Sequence, residues 1–596
     1  MDKLKEEIVS QSDTVMSCIL LSKKIDKISK ETGKKAAILS NFTVRGLSEC
    51  LRVKSFANDI FLQVYEGEYG QWKQEILGNK LYEFKPDIIF LLIDTHGLDG
   101  HILYADNDVK PEEIDRFKKE TKNELLQLVD CIRSKTSAKI VISNSVKIWP
   151  PVAGIFDSKL KNGHYDIIDD YNNDLLSIYK NDGQVFIFNL NEWLGYVGKK
   201  HFWYDKYYFM ADMRLSPEAI PLLADELVSY LIPLAGKKRK CIVLDLDNTL
   251  WGGVVGEDGL SGIKLAPTGE GQQFYYFQKL LLSLSKRGIL LAINSKNNEE
   301  DVREVFLRHP HMVLRQNNIV SSQINWNNKA ENIQAIAKEL NIGLDSLLFV
   351  DDDLANRELI RQTLPEVEVL DLPADSAQYV QTLLNYKGFN MFEFTEEDKK
   401  RNEMYLQEKQ RNEYKNTFID MDTFLRSLNM HISVKEIDDL LIPRIAQLTQ
   451  KTNQFNLTTN RYHEDDIKNF IRSGDKLWAL DVSDKFGDYG IVGFCLVKDM
   501  SDRWEIDSML LSCRVLGKKV EEQFFGFVLS ELKKIKPKKV RAYYKPTQKN
   551  SQVKDFYKTF DFYKMKSSET EDIWERDLGS YVFIQHSFIE INRYQV

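Results

Sequence analysis

The chain has 596 residues, 43% of them hydrophobic, and carries 81 basic against 89 acidic side chains for a net charge of −8. That length exceeds what one core supports and predicts about three to four domains of roughly 100–200 residues each. The acidic balance excludes a protein built mainly to coat nucleic acid, and no apolar run reaches the roughly 18 residues of a membrane span. The six cysteines, Cys18, Cys50, Cys131, Cys241, Cys495 and Cys513, show no CxxC spacing, so neither a zinc site nor a disulfide framework is expected. No signal-type apolar core follows Met1, and the expectation is a cytoplasmic protein with reduced thiols.

Residues 1–33 read as polar helix. Lys35 to Asn41 then reads as a buried strand that ends on Ser40, followed by the apolar runs Ile88 to Ile93, Ile140 to Ser143 and Val185 to Leu190. Helix-period segments such as Glu112 to Ile132 separate them, which predicts an α/β domain over 1–235 with a largely parallel sheet. The order Ser40, Gly70, Asn144, then Leu215-Ser216-Pro217 resembles the SGNH hydrolases, in which a serine nucleophile is served by a distant DxxH pair. Here Ala211 and Arg214 stand at the Asp and His positions. A guanidinium stays charged and takes no proton from serine, so the expectation is a degenerate SGNH-like domain.

Lys237 to Lys240 leads into the strand Cys241 to Leu244, which ends in Asp245-x-Asp247-x-Thr249. Strand periodicity sends the two carboxylates the same way, and such a pair calls for a cation, with oxygen-ligated Mg²⁺ the common solution. Three more features follow in order. The strand Gly288 to Ile293 ends in Asn294-Ser295-Lys296. Lys329 opens a helix with Ile333, Ile336, Ala337 and Leu340 at helical spacing. The strand Leu347 to Val350 ends in Asp351-Asp352-Asp353.

Together these four resemble the haloacid-dehalogenase-like (HAD) phosphatases and imply a Rossmann-like parallel sheet over 237–385. The resemblance implies Asp245 as nucleophile forming an aspartyl-phosphate, and Asp247 as general acid/base. It implies Ser295 and Lys329 as phosphoryl-binding groups, and Asp245, Asp247, Asp351 and Asp352 as the Mg²⁺ shell. The insert from Trp251 to Gly259 is too short for a large cap, which leaves room for a bulky substrate or a borrowed lid.

The run Leu244 to Gly259 and the later Ile445 to Thr459 are similar to the FkbH-like branch of the superfamily, subfamily IIIC. That branch implies a second activity: taking a glyceryl unit from a phosphorylated glycerate, dephosphorylating it and loading it on an acyl carrier protein. Its transferases commonly carry Cys where this chain has Asn294, and an amide forms no thioester. Cys241 reads as an inert core thiol rather than a substitute.

In the last region, 386–596, Glu396 to Asn416 reads as an exposed connecting helix. Strand segments then lead to Ser512-Cys513-Arg514-Val515-Leu516-Gly517-Lys518-Lys519 at a helix start. With Asn550 and the Phe556-Tyr557 run, this resembles the α+β GNAT acyltransferase fold. The resemblance implies that Arg514 and Gly517 lie where the pyrophosphate of coenzyme A is held, although Lys519 replaces the usual small residue. Ser580 to Val596 alternates and predicts an edge strand.

Overall fold

The computed structural model describes residues 2–28, 33–94, 110–203, 205–547 and 549–594. The chain divides into two compact units, Met1–Lys238 with Tyr386–Glu393, and Arg239–Asn385 with Phe394–Val596. Among the described residues no helix is long and apolar enough to cross a membrane.

The first unit is built on a five-stranded parallel sheet in the order β2-β1-β3-β4-β5. Its strands are β1 (Lys34–Ser40), β2 (Leu62–Glu66), β3 (Ile88–Leu92), β4 (Lys139–Ser143) and β5 (Val185–Phe188). This is a doubly wound order, and β3 is apolar and buried at every position because helices cover both faces. The helices Leu47–Ala57 and Ala219–Leu234 close one face through Leu51, Val53, Leu223 and Leu227. Residues 386–393 return to this unit, where Lys387 pairs with Asp225 and the Phe392 ring lies 4.9 Å from Phe186.

The second unit holds two sheets. The first is parallel, in the order β10-β9-β6-β7-β8, from β6 (Cys241–Leu244), β7 (Leu290–Ser295), β8 (Ile319–Ile324), β9 (Leu347–Val350) and β10 (Glu368–Val369). Register places Leu244 opposite both Ile293 and Val350, so the polar residues that follow all three strands emerge at one edge. Val243, Ala292 and Phe349 on one face pack on Ile333 and Ile336 of the helix Lys329–Glu339. Each fully buried aliphatic side chain there contributes about 1.5–3 kcal/mol. Cys241 belongs to this core, and burial pushes its thiol up, as expected of an inert core cysteine.

The other sheet is mixed, in the order β17-β18-β16-β15-β14-β13-β11-β19, with the short β12 (Phe455–Asn456) beside β15. Its strands are β11 (Met430–Glu436), β13 (Lys476–Asp484), β14 (Gly487–Met500), β15 (Arg503–Leu511), β16 (Lys539–Tyr544), β17 (Tyr563–Ser567), β18 (Asp572–Asp577) and β19 (Ile589–Tyr594). β15 and β16 pair in parallel around the helix Val520–Ile535, within otherwise antiparallel neighbours. This is the α+β arrangement anticipated for a GNAT-like region, and β19 supplies the anticipated edge strand beside β11.

The helix Glu396–Lys415 departs from expectation, because it is docked rather than exposed. Its Arg401 donates to the Gly288 carbonyl at 2.9 Å and its Asn402 to Ser285. Its Arg411 makes a two-point pair with Asp484, 2.6 and 2.9 Å, with both side chains buried. Charge density signals exposure only when the charges lack partners. Here the partners lie 73 to 117 residues away in sequence, beyond any local pattern.

Candidate functional site

The site forms at the carboxyl edge of the parallel sheet of the second unit. Asp245 follows β6 and its amide donates to the Val350 carbonyl at 2.9 Å, which ties the first acid to the end of β9. Asp245 Oδ1 accepts the Ser295 hydroxyl at 2.6 Å, and Oδ2 lies 2.9 Å from Lys329 Nζ. The same ammonium is 2.5 Å from Asp351 Oδ2. Lys329 and Asp351 are 1% and 0% exposed, so this ion pair is shielded from solvent. The helix begins on Asn328, whose side chain caps the Ala330 amide, and that start places Lys329 at the edge.

Asp245, Asp351 and Asp352 offer carboxylate oxygens that all lie within 4.8 Å of one another. Burial, then Asp245, pushes the Asp351 carboxyl up, against the pull of Lys329. Burial together with Asp245 and Asp351 pushes Asp352 up to about 6. Burial pulls the Lys329 ammonium down, but Asp245 and Asp351 outweigh it and hold it above the ordinary lysine range. Lys329 pairs with Asp245 and Asp351, so the cluster of three carboxylates carries one ammonium, and the excess negative charge on hard oxygen donors suits a divalent cation such as Mg²⁺. The acidic loop is clamped from below. Arg357 Nη1 donates to the carbonyls of Asp351 and Asp352 at 2.8 and 3.0 Å, and Thr249 Oγ1 donates to Asp352 Oδ1 at 3.2 Å. Asp353 caps the next helix through the Ala355 amide.

Asp247 departs from the expected metal set, since its carboxylate is not among the three that converge. Oδ1 accepts the Trp251 indole at 2.8 Å and the Val255 amide at 3.1 Å, and Oδ2 accepts Asn297 at 2.9 Å. The reason is geometric: β6 ends at Leu244, so strand alternation no longer governs residues 245–247, and Asn248 turns the chain with φ of 55°. Trp251, Asn297 and Arg357 are site residues that sequence reasoning missed. Only the Ser295-x-Asn297 spacing on one loop carried a signal for any of them. Asn297 also donates to Ser295 Oγ at 3.2 Å, which links Ser295 to Asp247.

Asn294 is fully buried and faces away from this site. Its Nδ2 donates to the Lys329 carbonyl at 2.9 Å and its Oδ1 accepts Asn332 at 3.1 Å.

Arg514 and Gly517 lie apart from the acids, where the GNAT-like helix begins, and both are engaged within the chain. Arg514 pairs with Glu397 at 3.2 Å, and the Gly517 amide donates to Glu521 at 3.3 Å. Lys518 pairs with Glu408 at 3.1 Å. Arg514, Gly517 and Lys518 thus each have a carboxylate partner within the chain. Lys519 holds a left-handed φ of 64°, a conformation cheapest for glycine, which accounts for the small residue usual there.

In the first unit, Ser40 Oγ accepts only the Phe42 amide at 3.2 Å among its described contacts. Arg214, at the position expected for a histidine, is buried and pairs with Asp94 at 2.8 Å, stacked 3.2 Å from the Tyr208 ring. Asn144 is spent on Asn189 and the Asn191 amide. The edge is braced by hydrogen bonds rather than arranged as a triad.

The carboxyl ends of three neighbouring strands of one parallel sheet thus bring Asp245, Ser295 and Asp351 together, with Lys329 between the two acids. Residues 35–231 match the family described as FkbH, N-terminal domain. The chain is similar over 63% of its length, at 29% identity and a TM-score of 0.56, to the N-terminal part of protein BF1531 from Bacteroides fragilis. That crystal structure contains a phosphatase domain complexed with Mg, and 99% of it is covered. The chain is thus similar to the FkbH family over residues 35–231 and to a phosphatase-domain protein over 63% of its length. Two acetyltransferase structures also match about a quarter of the chain. One is the PaiA N-acetyltransferase of Thermoplasma acidophilum in complex with coenzyme A, at 16% identity, 24% and 98% coverage and a TM-score of 0.19. The other is a GNAT-family acetyltransferase of Staphylococcus aureus, at 13% identity, 25% and 99% coverage and a TM-score of 0.20. No curated protein sequence matches the chain.

Proposed function

We propose that the protein is an Mg²⁺-dependent phosphatase of the cytoplasm that releases phosphate from a phosphorylated small molecule through an aspartyl-phosphate on Asp245. The observation that carries this reading is the meeting of Ser295 and Lys329 on the Asp245 carboxylate, with Asp351 on the same ammonium. Asp245 attacks phosphorus with one carboxylate oxygen, and the P–O bond to the leaving group breaks. Asp247 gives the leaving oxygen its proton, then takes a proton from the water that hydrolyses the acyl phosphate. Ser295 and Lys329 hold phosphoryl oxygens, and Lys329 also keeps Asp245 aimed. Asp245, Asp351 and Asp352 would hold the Mg²⁺, which supplies positive charge opposite the phosphoryl group. Six free cysteines accord with a reducing compartment.

The domains of this reading are 1–235 (SGNH-like), 237–385 (HAD-like) and 386–596 (helix and GNAT-like). Phosphate release from a panel of phosphorylated metabolites, with Mg²⁺ and with EDTA, tests the reading. Wild type should turn over at least one ester only with metal, and Asp245→Asn should turn over none. Equal behaviour of the two proteins would remove it.

A second reading, glyceryl transfer to an acyl carrier protein, is favoured by the FkbH N-terminal match. Against it, the buried Asn294 amide offers no thioester-forming group. A mass gain on a carrier protein incubated with enzyme and phosphoglycerate would support transfer, and an unchanged mass would remove it.

A further inference from the structure

Lys329 reaches two carboxylates with a side chain of four rotatable bonds, and freezing such a chain costs about 1.5–2 kcal/mol of rotamer entropy. Its aim therefore depends on how firmly its backbone is held. Asn328 caps the helix, but the cap fixes the helix to itself and not to the sheet. The link to the sheet comes from an amide chain behind the site. Asn294, 0% exposed at the penultimate position of β7, donates to the Lys329 carbonyl at 2.9 Å. Its oxygen accepts Asn332 Nδ2 at 3.1 Å, one helical turn on. Asn332, itself buried, also donates to Asn325 Oδ1 at 3.0 Å, and the Asn325 amide donates to the Ser295 carbonyl at 3.1 Å. The chain thus ties the helix start to the same strand end that carries Ser295.

We infer that Asn294 is a positioning residue for Lys329: it registers the lysine-bearing helix against β7 so that the ammonium meets Asp245 and Asp351 together. A primary amide suits the position because it donates and accepts at once, and a thiol or methyl of similar bulk does not. Strand alternation puts Ser295 on the reacting side and Asn294 on the helix side, so position 294 acts through Lys329 and touches no reacting atom. The inference rests on the phosphatase reading for its meaning in turnover, but not for its geometry.

The test is a double-mutant cycle of Asn294→Ala and Lys329→Met in the full chain. Two quantities are read: orthophosphate affinity by calorimetry with Mg²⁺, and kcat on p-nitrophenyl phosphate. Supporting groups of this kind usually change affinity or activity about 10–100-fold. Asn294→Ala should weaken orthophosphate binding and lower kcat by about tenfold, with KM changed less than twofold. The double variant should be no worse than Lys329→Met alone. An additive further tenfold loss, or an Asn294→Ala protein with wild-type values, would overturn the inference. Asn294→Cys, which keeps bulk in place, should match Asn294→Ala and resist iodoacetamide. Wild-type kcat in that variant, or rapid alkylation blocked by orthophosphate, would place the position on the reacting side and overturn it. Should wild type release no phosphate, the phosphatase reading falls while the orthophosphate cycle still decides the brace.

Discussion

Replacing Lys329 with methionine keeps most of the length of the side chain and removes its ammonium group. The ammonium lies 2.9 Å from Asp245 and 2.5 Å from Asp351, with Lys329 and Asp351 both essentially inaccessible. Breaking a buried pair by deleting one partner costs about 3–5 kcal/mol, because the other charge is left unsolvated and unpaired. Here two carboxylates lose the same cation, so the upper half of that range is expected without metal. Urea unfolding of the full chain at neutral pH in EDTA, followed by tryptophan fluorescence, reads the change in midpoint at an unchanged m-value. Mg²⁺ binds the folded cluster and supplies the missing charge, so saturating metal should narrow the gap between variant and wild type. A loss below about 1 kcal/mol in EDTA, or a gap indifferent to Mg²⁺, would refute the view of Lys329 as the counter-charge of the acids.

Two further outcomes follow from particular contacts. Trp251→Phe deletes the indole donor at 2.8 Å from Asp247 while a ring still fills the pocket. A hydrogen bond to a charged group is worth about 1.5–3 kcal/mol, so steady-state kinetics should show kcat lowered about tenfold or more with KM little changed. Asp398→Asn probes the docked helix. Burial would raise the Asp398 carboxyl, but Arg401, Lys451 and the Thr395 cap outweigh it and hold it at about 2. A folded value below the unfolded one, about 3.9, means stability that is full above the unfolded value and lost as pH falls through the folded one. The variant should therefore be about 2–3 kcal/mol less stable than wild type at pH 7. Urea midpoints should show the gap closing between about pH 4 and 2, and a constant gap would refute the ion-pair account.

Local chemistry was enough to determine which strands end in reactive groups. Cys241–Leu244, Leu290–Ser295 and Leu347–Val350 are buried strands of a parallel sheet. Such strands are apolar throughout and must meet water where they end, so Asp245, Ser295 and Asp351 stand out in one dimension. The helix at Lys329 was legible from the apolar stripe that follows it. Local chemistry did not determine which way a side chain turns once its strand has ended, or which distant group it meets. Asp247 lies beyond the last residue of β6 and so turns to Trp251, Val255 and Asn297 instead of the metal-facing acids. Asn294 reads as a vacant nucleophile position, and only the packing of the Lys329 helix on β7 makes it a brace. The charged helix Glu396–Lys415 reads as exposed because Asp484, Gly288 and Arg514 are far along the chain. Periodicity is a property of one element, whereas these partners are chosen by register and docking between elements, which exist only in the folded chain.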